Sequence, residues 1–80
     1  MDIILYLTPA SPQGKKAKEW LKKKKVAFQE RDISESETYR DEVIEKTSQL
    51  GVPVIEIDTQ IIVGFKEQEL EVALKKVKVI

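Results

Sequence analysis

Ile3 to Leu7 is an unbroken run of β-forming apolar residues ended by Thr8–Pro9. A strand with no polar face has to be covered on both sides, so this run belongs inside a sheet with helices on either face. Ser11 and Pro12 follow as an N-cap and a first helical residue, the usual pair for starting a helix. Ala17, Trp20 and Leu21 then recur at helical spacing, with lysines and Glu19 on the other side, which predicts a helix from about Pro12 to Lys24. Trp20 is expected in the core.

Partial alternation from Val26 to Ile33 predicts a second strand ending near Asp32. Capping residues between Ser34 and Glu37, followed by apolar Tyr39, Val43, Ile44 and Leu50, predict a second helix to about Gln49 with Gly51 as its stop. Val52–Ile57 and Gln60–Val63 are β-rich runs separated only by Asp58 and Thr59, which reads as a hairpin. Gly64 and Phe65 break the last strand, and Leu70, Ala73, Leu74 and Val77 mark a final amphipathic helix. The resulting order is βαβαββα. With short connections and a right-handed crossover, this is an α/β protein with one four-stranded mixed sheet, the hairpin at one edge and helices on both faces. It is the order of the thioredoxin fold.

Eighty residues are expected to form a single domain, 1–80, because a chain of this size cannot build two separate cores. Its 14 basic and 14 acidic residues cancel, which points away from nucleic acid and from an anionic membrane. Lys15, Lys16, Lys18 and Lys22 to Lys25 are locally dense and read as a solvated helix face. Cysteine and histidine are both absent. Their absence excludes disulfides, thiolate catalysis, zinc or iron–sulfur ligation through cysteine, and any Ser–His or Cys–His pair. No metal site and no cofactor are expected. The start Met-Asp-Ile-Ile-Leu has no basic segment, and no apolar run approaches the ~18 residues of a spanning helix. A cytoplasmic monomer is the expectation.

Tyr6 to Lys16 reads Tyr-Leu-Thr-Pro-Ala-Ser-Pro-Gln-Gly-Lys-Lys. This segment resembles the active-site strand, turn and helix of glutaredoxins with both cysteines replaced. Ser11 stands where the family has its nucleophilic thiol and Gly14 where it has the resolving thiol. Three further segments carry the same resemblance, which extends to NrdH-type redoxins: Glu30-Arg31-Asp32-Ile33, Gly51-Val52-Pro53-Val54 and Ile62-Val63-Gly64-Phe65. Together the four cover nearly the whole chain.

The resemblance implies a cis peptide bond before Pro53 and a docking role for the main chain of Val52, with glutathione or an extended peptide or protein as partner. It also implies that Gly64 lets the backbone approach a glutathione carboxylate, although Lys66 stands near where the family commonly has an acid. Tyr6, Pro12, Gln13, Val52, Pro53, Gly64 and Phe65 are the binding positions carried over in this way, and Ser11 and Gly14 the former catalytic ones. The family's activity is disulfide exchange linked to electron transfer and cell redox homeostasis. An alcohol at position 11 cannot perform it, since exchange needs a thiolate that attacks sulfur and leaves again. Ser11 has no histidine to act as its base and reads as a helix cap. Three readings follow: a redox-inactive relative of the oxidoreductases, a non-catalytic module that binds glutathione or peptide, or an engineered cysteine-free scaffold.

Overall fold

A computed structural model of the chain describes residues 3–77. The elements are β1 (Ile3–Leu7), α1 (Pro12–Lys23), β2 (Gln29–Asp32), α2 (Glu37–Thr47), β3 (Val54–Ile57), β4 (Gln60–Val63) and α3 (Glu67–Lys76). They build one sheet of order β2-β1-β3-β4. The β1–β2 pair is parallel, while β3 runs antiparallel to both β1 and β4. The mixed sheet and the three helices are those of the thioredoxin fold.

All five residues of β1 are buried, and alternate side chains serve two different cores. Ile3, Leu5 and Leu7 pack with Ala17, Trp20 and Leu21 of α1 and with Leu70, Ala73 and Leu74 of α3. Ile4 and Tyr6 pack on the other face with Ile33, Val54 and Val43 of α2. A continuous apolar strand is therefore the structural requirement of a sheet covered on both sides. Trp20 lies in the first core, edge-to-face with Phe65 at a centroid distance of 6.4 Å.

Boundaries differ from the sequence expectation in three places. Strand β2 starts at Gln29 rather than Val26, because Val26 and Phe28 leave the helix through a turn at Lys25 (φ 58°) and pack against the α1–α3 core from the connection. Helix α2 stops at Thr47, two residues early. Its left-handed terminal residue is Ser48 (φ 62°), not Gly51, and the Thr47 hydroxyl bonds back to the Val43 carbonyl at 2.7 Å. Strand β3 begins at Val54, since Pro53 has no N–H to give to a ladder.

The two faces also differ in charge. Helix α1 and the residue pair after it hold seven lysines (Lys15, Lys16, Lys18 and Lys22 to Lys25) against Glu19 alone. The α2 face holds Glu35, Glu37, Asp41, Glu42 and Glu45 against Arg40 and Lys46. Three ion pairs tie elements together across this pattern: Lys18–Glu30 at 3.0 Å, Lys24–Glu71 and Lys46–Glu56. Partly exposed surface pairs of this kind contribute little each.

Candidate functional site

The first corner of the site is the passage from β1 into α1. Ser11 donates its N–H to the Thr8 carbonyl at 3.1 Å, closing a turn with Pro9 in its second position. Its backbone is extended (φ −82°, ψ 115°), and its Oγ accepts the N–H of Gly14 at 3.1 Å. Pro12 is the first helical residue, and Pro12 and Gln13 are exposed. Ser11 is thus a working N-cap. Replacing it with alanine is expected to cost about 1 kcal/mol in urea unfolding, while aspartate or threonine retains most of the stability. An unchanged midpoint in the alanine variant would remove the cap from the account.

Gly14 is buried beneath this cap. A Cβ on it would lie 3.1 Å from Leu7 Cβ and 3.3 Å from Ser11 Cβ, so the first turn of α1 sits close upon the end of β1. No acidic residue occupies that turn, and Lys15 and Lys16 are exposed within it. The helix dipole and both ammonium groups therefore make the surroundings of Ser11 electropositive.

The second corner is set by strand register. Tyr6 faces Val54 across β1–β3, and Val54 faces Val63 across β3–β4, which brings Leu7, Pro53 and Gly64 to one end of the sheet. The Val52–Pro53 bond is cis, Pro53 is buried, and its carbonyl accepts the Gly64 N–H at 2.7 Å. Val52 is half-buried and takes part in no backbone hydrogen bond among the described residues. Gly64 has φ +89°, and a Cβ there would meet Lys66 Cε only at 4.0 Å, so backbone conformation and not crowding calls for glycine there. Phe65 is half-buried against Trp20.

Tyr6 is placed differently from the rest. It is fully buried, its ring faces α2, and its hydroxyl donates to Glu42 Oε1 at 2.9 Å. Arg31 donates to the same carboxylate oxygen at 2.6 Å and to the Tyr6 oxygen at 3.2 Å. Its guanidinium lies 5.7 Å from the Tyr6 ring centre and 5.3 Å from that of Tyr39. Burial first, and the bond to Glu42 second, push the Tyr6 hydroxyl above its ordinary pKa. Desolvation works against the Arg31 charge, but the bonds to Glu42 and Tyr6 outweigh it and raise its pKa. In the sequence Arg31 stands only as part of a family segment, and nothing there gives Glu42 a role. Neither has a local signal, because the contact spans 36 residues from Tyr6 to Glu42.

The corner joins a helix N-terminus, a free main-chain segment at Val52 and a left-handed glycine, and it contains no sulfur nucleophile. Among the described residues no group of three or more acidic side chains gathers to hold a metal ion. No helix of the described residues is long and apolar enough to cross a membrane.

A glutaredoxin-like 8.6 kDa protein of Clostridium pasteurianum, located in its rubredoxin operon and described as uncharacterized, is 40% identical over 74 residues. The match covers 92% of this chain and 99% of that protein. The T8A mutant of the thioredoxin-like protein BC3987 superposes with a TM-score of 0.87 at 27% identity, covering 92% of this chain and 95% of the other. Glutaredoxin from Archaeoglobus fulgidus gives 0.84 at 22% identity, over 92% and 86% of the two chains, and shares the fold. So does the NrdH-redoxin of Escherichia coli, at 0.78 and 15% identity over 89% and 92%. Residues 3–62 match the glutaredoxin family model, and with the 40% identical relative spanning almost the full length, the chain belongs to the glutaredoxin family.

Proposed function

We propose that this chain is a glutaredoxin relative that performs no thiol–disulfide exchange and keeps the family's corner for docking glutathione or an extended peptide. The observation that carries the first half is Ser11: the position of the attacking thiol holds an alcohol whose oxygen is engaged by the Gly14 N–H. Exchange proceeds through a thiolate, and the electropositive helix start favours such an anion. A serine hydroxyl does not ionise near neutral pH in that field, and no cysteine or histidine exists in the 80 residues to replace or activate it.

The docking half is supported by main-chain groups, which survive side-chain substitution. An extended ligand can bond to the Val52 backbone as a further strand does, whatever side chains surround it. At the left-handed turn of Gly64 no side chain stands on the backbone itself, and the neighbour nearest to that position is the flexible end of Lys66, at 4.0 Å.

Incubation with glutathione, glutathione reductase, NADPH and a mixed-disulfide substrate is expected to give the blank rate. Turnover above the blank overturns the redox half. Chemical-shift titration with oxidised and reduced glutathione is expected to move resonances of Ser11, Val52 and Gly64 together. Absent or scattered shifts overturn the docking half alone.

A further inference from the structure

The two edges of the sheet are built differently. Strand β2 at one edge reads Gln-Glu-Arg-Asp, three charges in four residues, with Glu30 paired to Lys18 and Arg31 to Glu42. Charged edges of this kind resist pairing with another chain. Strand β4 at the opposite edge reads Gln-Ile-Ile-Val and holds no charged residue and no proline. Among the described residues this edge carries none of those guards.

The Gly64 N–H to Pro53 carbonyl bond fixes the hydrogen-bond phase of the hairpin. Counting down the register in steps of two, Ile62 and Gln60 also point their main-chain groups at β3. Ile61 and Val63 therefore present N–H and C=O outward. A shallow groove runs along this edge between β4 and the outer face of α3, lined by Gln60, Ile61, Ile62, Gln68, Glu69 and Val72. Ile61 is 36% exposed and Val72 53% exposed, so apolar side chains accompany the free backbone.

The charges beside the groove are self-complementary. On the outer stripe of α3, Glu69 stands one turn before Val72, and Lys75 and Lys76 stand one turn after it. All three charged residues are exposed, and among the described residues Glu69 pairs with the equally exposed Lys66, at 3.7 Å. A two-fold axis passing by Val72 sets Glu69 of each copy against the lysines of the other. We propose that two copies of this chain associate through this edge, with β4 pairing antiparallel to β4 and the α3 helices flanking it about that axis. Such an interface is isologous and closes at two. Four-residue strands give few interstrand bonds, so the dimer is weak and concentration-dependent. This inference is independent of the reading of Ser11, and it differs from the monomer expected from sequence.

Sedimentation velocity from micromolar to millimolar concentration tests it. The wild-type chain is expected to move from one chain mass toward two, with amide exchange at Ile61 and Val63 slowing as the concentration rises. Ile61→Lys puts a charge on an exposed position of the edge, so the fold is retained by far-UV circular dichroism and association is lost. Glu69→Lys and the pair Lys75→Glu with Lys76→Glu should each weaken the dimer about tenfold, because the axis applies every lost ion pair twice. All three changes together should restore it. A chain that stays monomeric at millimolar concentration overturns the proposal and leaves the edge to an extended peptide of another protein. A dimer that survives Ile61→Lys, or a charge reversal that fails to rescue, overturns it equally.

Discussion

Ser11→Cys combined with Gly14→Cys is expected to produce measurable disulfide exchange in a chain for which we propose none. The geometry comes close to what a disulfide needs. A Cβ on Gly14 would lie 3.3 Å from Ser11 Cβ, against roughly 3.5–4.5 Å in bonded cysteine pairs. The same atom would lie 3.1 Å from Leu7 Cβ. Both contacts ask for a displacement of a few tenths of an ångström in the first turn of α1. A thiol at position 11 would stand at a helix N-terminus beside Lys15 and Lys16, with no acid in the first turn. Its pKa should therefore fall below the ordinary cysteine value of about 8.5, which alkylation rate against pH measures directly. Ser11→Cys alone should yield the reactive thiol without an internal disulfide, and Gly14→Cys alone reports the steric cost at Leu7. A folded double variant that matches the blank in the glutathione-coupled assay would sink the expectation.

Tyr6→Ala is expected to be the most damaging single change, at about 3–5 kcal/mol, the cost of emptying a buried aromatic site. A domain of this size has only about 4–12 kcal/mol in total. The substitution also takes one partner from the Glu42 carboxylate and from Arg31, whose Nε is already buried without an acceptor. Tyr6→Phe keeps the ring and isolates the hydroxyl. Because burial and the bond to Glu42 raise the Tyr6 pKa above the unfolded value, its contribution is complete below about pH 10 and is lost as pH rises through the folded value. Lys46 has the same sign, its pKa raised chiefly by the bond to Glu56. Urea unfolding from neutral pH to beyond pH 10 should show wild-type stability falling, with a shallower fall in Tyr6→Phe from Lys46 alone. Identical slopes in the two proteins would mean that the hydroxyl is not held as described.

What the sequence made legible was local in origin. The apolar run of β1 predicts a doubly covered strand, Ser11–Pro12 predicts the start of α1, and two residues between β-rich runs predict the β3–β4 hairpin, all of which the structure contains. Misjudged boundaries share a different cause. Val26 and Phe28 look like strand residues because they are apolar, yet they pack from a connection, where burial demands no ladder. Gly51 looks like a helix stop because glycine enters the left-handed region freely, yet Ser48 takes that conformation three residues earlier. At the candidate site, the cap at Ser11 and the strand-ending turn at Gly64 could be read from their neighbours in sequence. The Tyr6–Glu42–Arg31 contact could not, since it exists only once α2 lies across the sheet beside β1 and β2.

The uneven spread of charge between the α1 and α2 faces gives a molecule of zero formal net charge a pronounced electric dipole. Such a dipole biases the orientation in which the molecule approaches anything charged. It meets an acidic neighbour lysines first and a basic one glutamates first, and added salt slows either encounter by shortening the reach of that alignment.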